Sequence, residues 1–178
     1  MDERELFRQL RARAEKVWPE YEEWYGPLLE EELRESEEML GFPLPEFVRR
    51  LYTQVGNGGF GPGYGGVLGL LNGATDESNI NAVDRYCGWQ DWQPDLADYE
   101  LEAGEVVVPF AWPDRILAIC HWGCAIYSCI DCNRDDAPVL RFRYDCYRPT
   151  TALTELMKPE AASFASWLEA WLHGDLKG

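Results

Sequence analysis

Residues 40–70 read LGFPLPEFVRRLYTQVGNGGFGPGYGGVLGL, and these thirty-one positions carry a helix stop, a helix restart, a glycine turn and an apolar run in succession. Gly41 stands where a helix ending at Leu40 needs a left-handed residue. Pro43 and Pro45 block continuation, and Pro45 suits the first turn of a new helix, where its missing N–H costs nothing. Phe47, Leu51 and Val55 recur every four residues with Tyr52 beside them, which predicts a short helix cut by Gly56-Asn57-Gly58-Gly59. Val67-Leu68-Gly69-Leu70 then predicts a strand up to about Leu71.

The same run contains Gly56-x-Gly58-x-x-Gly61, the spacing of a dinucleotide-binding turn. That turn must follow a strand and open a helix whose N-terminus receives the pyrophosphate. Here the predicted order is reversed, and no Lys-Ser or Lys-Thr follows to make a Walker loop. The glycines are therefore read as a structural helix-to-strand turn.

Outward toward the N-terminus, Leu6, Leu10, Ala14, Val17, Tyr21 and Trp24 form one stripe, predicting a helix from about Glu3 to Trp24 with Pro19 as a possible kink. A second helix, Leu28 to Leu40, is expected to bury Leu29, Leu33, Ser36 and Leu40. Toward the C-terminus, Thr75 or Asp76 is a candidate cap for a helical turn, and Tyr86 to Glu105 reads as a long ordered loop. Val106–Phe110, Ile116–Trp122, Ala125–Asp131 and Val139–Tyr144 read as four strands of an antiparallel meander, with Val139, Arg141 and Arg143 alternating against Leu140, Phe142 and Tyr144 so that one face is wet. Pro159 is expected to open a last helix bearing Phe164, Trp167, Leu168, Trp171 and Leu172. The expected class is α+β, a central mainly antiparallel sheet flanked by N-terminal and C-terminal helices, in a single domain over residues 1–178.

The 178 residues carry a net charge of −16, with 32 acids against 16 bases. Residues 20–38 hold nine acids and one base, Arg34. Residues 76–105 hold nine acids and Arg85 alone. These two segments supply the whole excess. Such a field repels nucleic acid and membrane phosphates and attracts a basic protein. The N-terminus lacks the basic-then-apolar order of a secretion signal and no apolar run reaches spanning length, so a soluble cytoplasmic protein with reduced thiols is expected.

Among sites for chemistry, Cys120, Cys124, Cys129 and Cys132, with His121 inside the cluster, are weak metal candidates. Only four residues separate the two pairs, and Cys124 and Cys129 point to opposite sides of an extended chain. Core thiols are the simpler reading. Asp131-x-Asn133-x-Asp135 fails as a calcium loop because Asp136 and Phe142 occupy the places of the glycine and terminal glutamate. His121 and His173 have no recognisable nucleophile partner, and no Gly-x-Ser-x-Gly elbow occurs. No residue is named as catalytic and no cofactor is expected.

Glu37, Leu40-Gly41, Leu44-Pro45, Phe47, Leu51, Asn57-Gly58-Gly59, Val108-Pro109-Phe110, Gly123, Ile130-Asp131 and the helix Phe164 to Leu172 are together similar to the SUKH superfamily, also called the Smi/Knr family. The resemblance covers about residues 28–172. The segment 1–27, with its extra N-terminal helix, and the tryptophan-rich loop Tyr86–Glu105 lie outside it. It implies an α+β domain without cofactor or catalytic set. In bacteria it implies an immunity protein that neutralises the cognate toxin of a polymorphic toxin system, often a nuclease. The alternatives are a cytoplasmic regulatory scaffold like the yeast cell-wall regulator, and a zinc-binding or catalytic protein. A nuclease has a basic substrate groove, so the candidate partner-binding set is Trp89 and Trp92 as anchors with Asp91, Asp95, Asp98 and Glu100 as charge partners.

Overall fold

In the computed structural model, which describes residues 1–17 and 25–176, the glycine turn is held by one side chain. Asn57, 3% exposed, accepts from the Leu70 amide at 2.8 Å and donates to the Leu71 carbonyl at 3.0 Å. Its own carbonyl accepts from Ala74 at 3.0 Å. Gly58 has φ +85°, and a Cβ there would stand 2.5 Å from the Val67 carbonyl oxygen, so both conformation and space demand glycine. The Val67–Leu71 strand is corrected by this clamp: the chain bends at once toward Asn57, leaving a single bridge from Val67 to Cys120.

The helices before it are α1 (Glu3–Val17), α2 (Glu30–Leu40) and α3 (Glu46–Gln54). Val17 ends α1, and Pro19, Tyr21 and Trp24 of the predicted stripe lie outside the described residues. α2 starts two residues later than expected, and Leu29 is 70% exposed because it is the N-cap rather than a facing position; Leu28 is buried instead. Gly41 ends α2 with φ +80°. Glu37 bridges α2 to α3, accepting from the Leu44 amide at 2.7 Å and pairing with Arg49. α1 joins the core through Leu6, Leu10 and Ala14 and through edge-to-face rings, Phe7 on Phe47 at 5.3 Å and Phe47 on Phe164 at 6.1 Å.

The sheet comprises β1 (Ile116–His121), β2 (Ile126–Asp131), β3 (Val139–Arg143) and β4 (Met157–Ala161), ordered β1-β2-β3-β4 and antiparallel throughout. With helices on both sides, the fold is α+β. Two strand boundaries differ from the expectation. Val106–Phe110 is not a strand, its Val106 being 78% exposed and its Val108 amide donating to Pro149 at 2.7 Å. Pro159 sits in edge strand β4 instead of opening a helix, a position where a missing N–H is tolerated. At the opposite edge, β1 accepts backbone hydrogen bonds from Tyr64 to His121 at 2.9 Å and from Leu68 to Ile119 at 2.8 Å.

A one-turn helix, α5 (Leu153–Leu156), precedes β4, and α6 (Phe164–His173) follows it, capped by Ser163 and burying Phe164, Trp167 and Leu168. The wet face is also corrected. Val139 and Phe142, on opposite sides of β3, are both fully buried, and Arg141 lies beneath Trp122 at 4.4 Å and pairs with Glu160 of β4. Aromatic groups cover one side of the sheet; this ion pair and α6 cover the other.

The segment read as a loop begins with α4 (Ala82–Asp91). Asn81, not Thr75 or Asp76, caps it, accepting from the Asp84 amide at 2.9 Å. Asp76 instead organises the preceding turn, accepting from the amides of Ser78 at 2.9 Å and Ile80 at 3.3 Å.

Candidate aromatic cleft and acidic strap

α4 lays Ala82, Val83 and Tyr86 against the core. One turn on, Trp89 packs on Trp112 at 4.1 Å and meets Tyr127 of β2 and Phe142 of β3 edge-to-face at 5.1 and 5.6 Å. Trp92, just past the helix, meets Phe110 at 4.5 Å and Tyr144 at 5.7 Å. Tyr144 and Tyr147 stack at 5.4 Å. Both tryptophans are half-buried, so their inner sides belong to the core.

Between these rings lies a cleft of about 380 Å³, lined among others by Asp84, Gly88, Trp89, Trp92, Tyr127 and Tyr144. Arg85 also borders it. Its guanidinium pairs with the fully buried Asp76 carboxylate and lies 5.5 Å from the centres of the Trp89 and Tyr127 rings. Burial pushes the Tyr127 and Tyr144 phenols up to about 12, so both stay neutral at ordinary pH. Asp84 is exposed and accepts from the Asn81 side-chain amide at 2.8 Å. Asp84, Gly88 and Asp91 are four and three residues apart on α4 and so share one stripe.

From Gln93 to Val108 the chain forms a strap over the surface. Gln93 donates to the Phe110 carbonyl at 2.9 Å at one end, and Val108 holds the other. Asp95 caps a 3₁₀ turn, Leu96–Asp98, by accepting from the Ala97 amide at 2.9 Å. Asp91, Asp95, Asp98 and Glu100 are all exposed. Leu96 (42%), Leu101 (39%) and Val106 (78%) are exposed among them. Sequence reasoning named the four acids but not these apolar side chains, nor Asp84 and Gly88, whose relation to Asp91 appears only once α4 is seen as a helix.

The cysteines do not converge. Cys120, Cys129 and Cys132 are buried and Cys124 is exposed in the β1–β2 turn. Among the described residues no group of three or more His, Cys, Asp or Glu is placed to hold a metal ion. Burial pushes the Cys120, Cys129 and Cys132 thiols upward, away from the thiolate that zinc requires. His121 is 2% exposed, its ring 4.7 Å from Tyr127 and its Nε2 3.8 Å from Glu77, while His173 is exposed at the end of α6. Among the described residues, no helix is long and apolar enough to cross a membrane.

No curated protein matches the chain. A protein-family model, the SMI1 / KNR4 family (SUKH-1), matches residues 27–170, beginning after α1 and taking in the Glu37 bridge, the Asn57 clamp, the whole sheet and most of α6. With that match over most of its length and the α+β architecture around it, this chain belongs to the SMI1 / KNR4 family (SUKH-1).

Proposed function

We propose that this protein acts in the cytoplasm as an immunity protein, binding a basic toxin domain and neutralising it without catalysis. Family membership supports the class, and the acidic strap supports the manner. The observation that carries the reading is the exposure of Asp91, Asp95, Asp98 and Glu100 interleaved with exposed Leu96, Leu101 and Val106. Carboxylates steer a cationic surface toward the strap, and the apolar side chains then exclude water from the contact. A nuclease is the toxin class whose basic substrate groove best complements such a surface.

Co-expression with the product of the adjacent gene tests this. The expected result is a co-purifying complex and loss of toxicity. Reversal of Asp91, Asp95 and Asp98 to Lys is expected to slow association at least about tenfold and to flatten its salt dependence. A folded triple variant that neutralises like the parent would remove the strap from the interface. Failure of the parent to capture or neutralise the neighbour would remove the immunity reading.

A further inference from the structure

Gly88 has no structural reason to be glycine. It lies within α4, where glycine costs stability relative to alanine, and its φ is not in the left-handed region. A Cβ built on it meets no atom within 4 Å, so no close packing excludes a side chain either. What the glycine does is leave the mouth of the aromatic cleft open. On the same stripe of the helix, Asp84 stands on one side of it and Asp91 on the other.

The geometry points to this cleft as the receptor for a single basic side chain, an arginine or lysine presented by the protein partner, entering over Gly88 into the space lined by Trp89, Trp92, Tyr127 and Tyr144, with Asp84 as its carboxylate. This inference rests on the reading of a basic protein partner given above, and it names the contact that partner makes. Aromatic faces and a carboxylate at the rim of a half-enclosed cleft are the chemistry that binds a cation. Arg85, at the border of the cleft, is already paired with buried Asp76 and lies 5.5 Å from the centres of the Trp89 and Tyr127 rings. The cleft is thus complementary to the charge that the strap attracts, and it supplies the pocket for an anchor that a flat acidic surface lacks.

The probes are acetyl-Gly-Gly-Arg-Gly-Gly-amide and its citrulline counterpart, which keeps the shape and loses the charge. Each is titrated into the ¹⁵N-labelled full chain while the indole N–H resonances of Trp89 and Trp92 are followed. The arginine peptide is expected to shift them saturably and to bind at least about fivefold more tightly than the citrulline peptide. Gly88→Leu fills the mouth with a strong helix former and is expected to weaken binding about tenfold with an unchanged or higher melting temperature. Asp84→Asn is expected to erase most of the arginine preference. Equal binding of the two peptides, silent indoles, or a folded Gly88→Leu variant that binds like the parent overturns the cleft. These titrations use no toxin. Capture of the neighbouring gene product with silent peptides therefore sinks the cleft alone, and peptide binding without capture sinks the immunity reading alone.

Discussion

The two faces of the sheet solve the same problem differently. On the α6 side every strong polar group of the central network has a partner. Glu160 accepts from Arg141 Nη2 and Trp167 Nε1, both at 2.8 Å, through one oxygen, and from Ser128 Oγ at 2.7 Å and Arg141 Nε at 3.1 Å through the other. Ser128 in turn accepts from Trp122 Nε1 at 2.8 Å. On the α4 side, Arg85 Nε, His121 Nδ1 and the Tyr147 hydroxyl are buried without a hydrogen-bond partner, and among the described residues these are the side-chain atoms so placed. All three border the same cluster of rings, around Tyr127 and Tyr144. One face is closed and satisfied; the other keeps unsatisfied groups, an open cleft and exposed acids. Satisfied buried polar groups are thus concentrated on the first face and unsatisfied ones on the second.

Breaking the closed face gives the largest effect. Glu160→Ala removes the carboxylate that Arg141, Ser128 and Trp167 share and is expected to cost about 4 kcal/mol in urea denaturation. Trp89→Ala tests whether the open face also contributes to the core. A loss of about 3 kcal/mol is expected from its contacts with Trp112, Tyr127 and Phe142, and a loss below about 1 kcal/mol makes Trp89 a surface anchor only.

Alkaline pH tests the burial of three thiols. Cys120, Cys129 and Cys132 titrate higher folded than the ordinary value of 9.0, so the unfolded chain releases its protons first. Their stabilisation is full below pH 9 and falls above it by about 1 kcal/mol per thiol per pH unit, until the folded thiols themselves ionise. Urea denaturation from about pH 8 to about pH 10.5 is expected to show a shallower alkaline slope in a Cys120→Ala variant than in the parent; an unchanged slope would remove that thiol from the titration. Gly88→Ala is expected to raise stability by about 1 kcal/mol, the reverse of Gly58→Ala, where the added carbon meets backbone. Smallest of all, single neutralisation of Asp91 or Asp98 is expected to move the melting midpoint by an amount equivalent to about 0.5 kcal/mol or less.

The scaffold was more legible than the site, for reasons that lie in the residues. Gly41, Pro45 and the glycine turn impose backbone geometry locally, so α2, α3 and the reversal after α3 follow from sequence. β1, β2 and β3 are short apolar runs bounded by turn residues, and their boundaries fall within a residue or two of the expectation. β4 was missed because Pro159 signals a helix start as readily as an edge strand. α4 was missed because Gly88 and two tryptophans weaken its helical pattern, and its packing against β1 and the aromatic cluster overrides that weakness. With α4 unread, Asp84, Gly88 and Asp91 had no common face. Asp91, Asp95, Asp98 and Glu100 are exposed, as charged side chains usually are, whereas Asp76 of the same acidic segment is buried against Arg85, which the sequence does not signal. The half-burial of Trp89 and Trp92 depends on rings from Phe110 to Tyr147, which only the folded chain brings together.

Both margins of the sheet are blunted against further strands. At β4, Pro159 has no N–H to offer an incoming strand, and at β1 the Tyr64 and Leu68 amides already occupy outward carbonyls. Main-chain zippering, the least selective way for one polypeptide to seize another, is therefore disfavoured at both edges of the sheet. With both edges blunted, the contacts that the sheet leaves open are made by side chains, which can change without rebuilding the frame.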